Sequence, residues 1–141
     1  MKKITYLTIA ILILSACAPT SRTLSIAEAW ARSMPQGQNS AAYLVIENGT
    51  TSADSLLSVS TEIAEAAEVH MSMLDANGVM SMQMQDAVSI PAREIVEFKP
   101  GGLHIMLVNL KQDLKTGDTF TLTLNFKEAG TIVIEVPAQE P

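Results

Sequence analysis

The sequence predicts an all-β domain, a sandwich or a barrel, and three observations carry that reading. Short apolar or alternating runs recur with turn signals about every eight to twelve residues. The two segments with any helical character are too short to change the class. Hydrophobic residues make up 48% of the chain but aromatic residues only 4%, so aliphatic side chains must fill the interior, as they do on half-buried strands.

Taken in order, residues 26–33 form either a turn of helix or a strand around Trp30, the only Trp. Residues 42–47 (Ala-Tyr-Leu-Val-Ile-Glu) are rich in strand formers and end at the turn signal Asn48-Gly49. Residues 55–60 alternate loosely. Residues 61–68 contain Ala, Glu and Ile and suit a short helix. Residues 69–74 and 78–84 flank Asp75-Ala76-Asn77-Gly78, a hairpin-like turn with Gly at its end. Residues 95–98 make a short strand. Pro100-Gly101-Gly102 breaks the chain, and the apolar strand 103–110 follows. Residues 119–126 alternate Thr, Leu and Phe with period two, as a half-buried strand requires. Residues 131–136 close the domain.

The first residues form a separate unit. Lys2 and Lys3 precede an apolar run from Ile4 to Leu14. That run is shorter than an ordinary membrane span and has the shape of a signal peptide. Leu14-Ser15-Ala16-Cys17 resembles a bacterial lipobox, in which the Cys is acylated and becomes the new N-terminus, and Cys17 is the only Cys. The expected organisation is therefore a lipoprotein signal peptide over 1–16, a lipidated N-terminus and polar tether over 17–23, one domain over 24–137 and a tail over 138–141. A body without a free thiol excludes a structural disulfide, a zinc-thiolate site, a nucleophilic Cys and a blue-copper centre. Fifteen acidic against nine basic residues give a net charge of −6, which excludes a nucleic-acid binder. Arg32, Arg93 and Lys99 are too scattered along the chain to make an anion site.

Both His residues, His70 and His104, fall in one window with six of the eight Met: Met71, Met73, Met80, Met82, Met84 and Met106. His104 and Met106 are two apart in a predicted strand, so they share a face, roughly 6.6 Å apart along it. Met80, Met82 and Met84 share a face for the same reason, and the hairpin at Asn77-Gly78 brings the strand of His70 beside them. Thioether sulfur is soft and uncharged; with imidazole it selects copper, Cu(I) over Cu(II). It forms no disulfide in an oxidising compartment, although it is open to sulfoxidation. Glu68 and Asp75 flank the window as solvated strand-edge and turn charges. Pro100-Gly101-Gly102 lacks the Lys and helix start of a phosphate loop and reads as a turn that aims His104.

The window resembles the periplasmic copper chaperone family PCu(A)C, whose signature is H-M-x10-M-x21-H-x-M. His70-Met71 is followed by ten residues and Met82; twenty-one residues later come His104-Ile105-Met106. Ala29-Trp30-Ala31-Arg32, Ala41-Ala42-Tyr43, Asn77-Gly78-Val79-Met80, Pro100 to Leu107 and Leu122-Thr123-Leu124-Asn125-Phe126 resemble the family too. The resemblance implies a cupredoxin-like β-sandwich of Greek-key type that binds one Cu(I) per chain. By family spacing the ligands are His70, Met82, His104 and Met106; periodicity alone does not choose among Met80, Met82 and Met84. Met71 and Met73 are left as outer-layer or core candidates, and Met80 and Met84 as alternative ligands. Some family members carry a His- and Met-rich tail with a second copper site; residues 138–141 contain neither, so one site is expected.

The function this implies is an extracytoplasmic, membrane-anchored Cu(I) carrier, on the periplasmic side in a Gram-negative bacterium. The resemblance names its recipient as the dinuclear copper centre of cytochrome c oxidase, with a Sco-type thiol protein as a further partner. Two rival readings use the same residues: a copper-sequestering tolerance lipoprotein, and a metal-free structural or interaction lipoprotein with the Met cluster as packing. An enzyme is the least favoured class, because a copper oxidase wants more His than two.

Overall fold

The computed structural model describes residues 23–140, and these contain ten strands and no helix. They are β1 (Leu24–Arg32), β2 (Ser40–Asn48), β3 (Asp54–Ser60), β4 (Ala64–Leu74), β5 (Met80–Met84), β6 (Val88–Ile90), β7 (Ile95–Phe98), β8 (Leu103–Leu110), β9 (Thr119–Phe126) and β10 (Thr131–Gln139). The predicted lipobox and Cys17 lie outside the described residues.

Hydrogen bonding runs β5-β4-β8-β2-β1-β10-β9-β3-β6, with β7 also beside β2. The ladder divides into two layers at β1 and β10, a parallel pairing of only Ala31↔Ala138 and Arg32↔Gln139. One layer is β5, β4, β8, β7, β2 and β1; the other is β10, β9, β3 and β6. Their inner faces share one hydrophobic cluster. Leu44, Ile46, Ile105 and Leu107 enter it from the first layer, and Leu56, Phe120, Leu122, Leu124 and Val136 from the second. Each such side chain contributes about 1.5–3 kcal/mol by leaving water. This is a β-sandwich, and the period-two burial of β9 is the pattern that announced it.

Two local expectations need correction, the helix over 61–68 and the end of the closing strand at 136. Residues 61–68 are not a helix: Ala64 to Glu68 are the first half of β4, paired to β8 through Ala64↔Leu110, Ala66↔Val108, Ala67↔Leu107 and Glu68↔Met106. A helix of that length is marginal by itself, and a strand that pairs with a buried neighbour overrides Ala and Glu propensity. The segment around Trp30 is a strand, bulged between Ala27 and Trp30 where Glu28 takes a left-handed φ of 51°. The closing strand runs past Val136 to Gln139, because Ala138 and Gln139 pair with β1.

The end of the sandwich beside the β2–β3 connection is held by buried polar groups. Asn48, 2% exposed, donates its amide to the carbonyls of Ser52, Ile90 and Pro91 at 3.0, 3.1 and 3.1 Å. Its carbonyl oxygen accepts from the backbone and hydroxyl of Thr50. Asp54 accepts backbone N–H groups from Ser55, Glu128 and Ala129 at 2.7–2.9 Å. Burial by itself would raise the Asp54 pKa; the donors of Glu128, Ala129, Ser55 and Lys127 outweigh it and hold the carboxyl below the ordinary aspartate value. A carboxyl with a lowered folded-state pKa stabilises the fold above its unfolded-state pKa, and that contribution is lost as pH falls through the folded value. Wild-type stability should therefore drop on acidification below the ordinary aspartate range, and Asp54→Asn should be less stable at neutral pH with a shallower acid slope. Denaturant unfolding from pH 7 to acid checks this; an unchanged slope would contradict the role given to Asp54.

Candidate metal centre

Strand register decides which donors meet. Between β4 and β8, His70 lies opposite His104 and Glu68 opposite Met106. Between β4 and β5, His70 lies opposite Met84, Ser72 opposite Met82 and Leu74 opposite Met80. Directly opposed residues project to the same side of a sheet. Their neighbours Val69↔Ile105 and Ala67↔Leu107 point into the core. His70, His104, Met80, Met82, Met84 and Met106 therefore share the outer face of β5-β4-β8. Met71 and Met73 pair with Leu103 and Ser81 on the opposite side, so the fold does not bring them to the imidazoles.

A cleft of about 350 Å³ opens on this outer face, and Met80, Met82, His104 and Met106 line it. His70 and Met84 do not line it; His70 lies opposite His104 on the adjacent strand, and Met84 opposite His70. Arg32, Met34 and Tyr43 also line it, and none of these three could be placed there from spacing. Met34 arrives from the segment after β1, which bridges to Leu114. Arg32, read as one of several scattered cations, sits at the rim. Trp30 stacks on Tyr43 with ring centroids 4.6 Å apart and is thus one residue removed from the cleft.

The turn before β8 aims His104. Gly101 holds a left-handed φ of 79°, the conformation that favours Gly. The Gly102 carbonyl accepts both the Ser72 N–H at 3.1 Å and His104 Nδ1 at 3.0 Å. A carbonyl only accepts, so the proton sits on Nδ1, and Nε2 keeps the lone pair. His104 is 5% exposed despite lying on the outer face. His70 presents the other arrangement. Its Nε2 lies 2.9 Å from Glu68 Oε2, and its Nδ1 is buried without a hydrogen-bond partner. The two rings stand 5.9 Å apart, tilted by 42°.

Glu68 is therefore not a solvated strand-edge charge; the signal for it was its position two before His70, on the same strand face. Asp75 does keep a turn role, accepting the N–H groups of Asn77 and Val79 at 2.8 Å to close the β4–β5 hairpin. Among the described residues no group of three or more His, Cys, Asp or Glu is placed to hold a metal ion. Beside the two imidazoles, the soft donors on this face are the thioethers of Met80, Met82, Met84 and Met106. Two imidazole lone pairs and a row of sulfurs fit a soft, low-charge ion and poorly suit Mg, Ca or Mn.

The same two-layer sandwich is found among solved PCuAC domains. The copper-bound PCuAC domain from PmoF2 superposes with a TM-score of 0.71 at 24% identity, covering 84% of this chain and 94% of that one. The apo PCuAC domain from PmoF1 gives 0.70 at 26% identity over 84% of this chain and 95% of its own. Cu(I)-loaded DR1885 from Deinococcus radiodurans gives 0.66 at 26% identity, covering 89% and 83%. The chain belongs to the LpqE-like family, whose model, described as "Putative lipoprotein LpqE-like", matches residues 24–138. It is 32% identical over 123 residues to "Uncharacterized protein RP573" of Rickettsia prowazekii, covering 84% of this chain and 67% of that protein. It is 27% identical over 118 residues to "Putative lipoprotein Lxx21020" of Leifsonia xyli, covering 83% and 70%.

Proposed function

We propose that the protein is an extracytoplasmic Cu(I) carrier that holds one ion through His70, His104, Met82 and Met106 and passes it to a partner. The observation that carries this reading is the pair of imidazoles fixed on one sheet face, each with a free lone pair, beside a cleft lined by thioethers. Met82 is chosen over Met84 because it lines that cleft with His104 and Met106. It is chosen over Met80 because its partner, Ser72, lies nearer His70 along β4 than does Leu74. The metal-free reading needs the Met residues as packing, yet Met82 is 54% exposed. Half-exposed thioethers beside one buried and one half-buried imidazole suit a site that must open to another protein.

The chemistry of release follows from the donors. A thioether is neutral and binds weakly by itself, so an incoming thiolate displaces one sulfur at a time without moving the sandwich. The recipient proposed is the dinuclear copper centre of cytochrome c oxidase, reached directly or through a Sco-type thiol protein. The protein is placed on the membrane by a lipid on Cys17; relatives named as lipoproteins support this. No helix among the described residues is long and apolar enough to cross a membrane. The acidic surface steers the domain toward basic partners.

Competition titration of the chain from Ala18 onward against a Cu(I) chelator should give one equivalent of tight binding. His104→Ala combined with Met106→Ala should weaken it by more than about 100-fold, beyond the loss expected from an outer-shell partner alone. Unchanged affinity would remove the site. Separately, Cys17→Ser should move the full-length protein from the membrane fraction to the soluble fraction; retention on the membrane would rule out lipidation as the anchor.

A further inference from the structure

The two imidazoles are held by different acceptors and offer different nitrogens. For His104 the acceptor is the backbone carbonyl of Gly102, which no substitution removes. For His70 it is a side chain, the carboxylate of Glu68, at 2.9 Å from Nε2. We propose that Glu68 is a positioning residue for the metal centre: it holds the Nε2–H tautomer and ring orientation of His70, so that Nδ1 is the nitrogen given to the metal. This deepens the carrier reading and rests on it.

Three observations support the assignment. An ionised carboxylate has only acceptors, so the hydrogen of this bond belongs to the imidazole. The nitrogen left over, His70 Nδ1, is buried with no hydrogen-bond partner. Leaving a buried polar atom unpaired is costly, and a metal is the kind of partner a lone pair in that position accepts. Finally, the pairing is not a surface ion pair of the ordinary kind. The His70 side chain is 14% exposed, whereas the Lys99–Glu97 and Lys127–Glu128 pairs are exposed on both members. Glu68 is held in place as well, since its backbone is paired to Met106 in the middle of the β4–β8 ladder. The same strand thus supplies His70 and its orienter two residues apart on one face. The arrangement is that of metal-binding His residues in general, whose second nitrogen donates to a carboxylate or carbonyl.

The consequence is an asymmetric site: His104 binds through Nε2 and His70 through Nδ1. The test uses Glu68→Ala, which removes the acceptor, Glu68→Lys, which offers only donors on a long solvated chain, and Glu68→Gln, which keeps a carbonyl acceptor. In the metal-free protein at mildly alkaline pH, long-range ¹H–¹⁵N correlation spectra report each tautomer. His70 should be Nε2–H in the wild type and in Glu68→Gln. It should shift toward Nδ1–H in Glu68→Lys, whose ammonium can only donate to Nε2, with His104 unchanged throughout. Cu(I) affinity should fall about 10- to 100-fold in the Ala and Lys variants and return in Glu68→Gln. A His70 tautomer unmoved by Glu68→Lys overturns the proposal. So does undiminished Cu(I) affinity in both the Ala and Lys variants, provided the wild type binds. A wild type that binds no Cu(I) overturns the carrier reading and this inference with it, so the two failures are distinguishable.

Discussion

The site depends on one register, His70 opposite His104 between β4 and β8. Side chains on a strand alternate with period two, so a slip of one residue would send an imidazole to the other face. The slip is prevented from the opposite side of the same strands. Val69 and Ile105 are fixed in the core by their apolar contacts, and their burial forces His70 and His104 outward together. The energy that orders the metal face is thus spent in the hydrophobic interior, and the donors need contribute none of it. The Met row follows by the same rule, since β5 pairs with the other edge of β4.

A second constraint is the orientation of the rings once they are on the right face. The break at Pro100-Gly101-Gly102 interrupts the edge along β2, where β7 and β8 bind in succession. That interruption turns the Gly102 carbonyl to serve both Ser72 and His104. The result is an imidazole whose tautomer is set by backbone, next to one whose bond is to Glu68. Donors prearranged in this way suit the proposed binding of Cu(I) with little reorganisation, and the half-exposed thioethers suit its proposed release.

Much of the fold was legible in the sequence where alternation was strong. The strands 95–98, 103–110 and 119–126 have the bounds that the apolar pattern gave. Legibility failed where local propensity and tertiary pairing disagree. Ala64 to Glu68 look helical in isolation and become strand only because β8 lies alongside. Val88–Ile90 is too short to show a period, and it exists because β3 offers Asp54, Ser55 and Leu56 as partners. At the site, the shared face of the His and Met residues was readable from spacing. Met34 and Arg32 were not, because they reach the cleft through the fold and not through a motif. Glu68 stood in plain view two residues before His70, but its role needed the distance between two atoms. Among Met80, Met82 and Met84 the period is silent, and the cleft separates them only in part.

We propose that two imidazole nitrogens and two thioether sulfurs of this face hold one Cu(I). X-ray absorption at the copper edge of the protein loaded with one equivalent of Cu(I) tests it most directly. The expected result is a Cu(I) edge and a first shell that fits two nitrogen and two sulfur scatterers together. A shell of nitrogen and oxygen alone, or of sulfur alone, would contradict it.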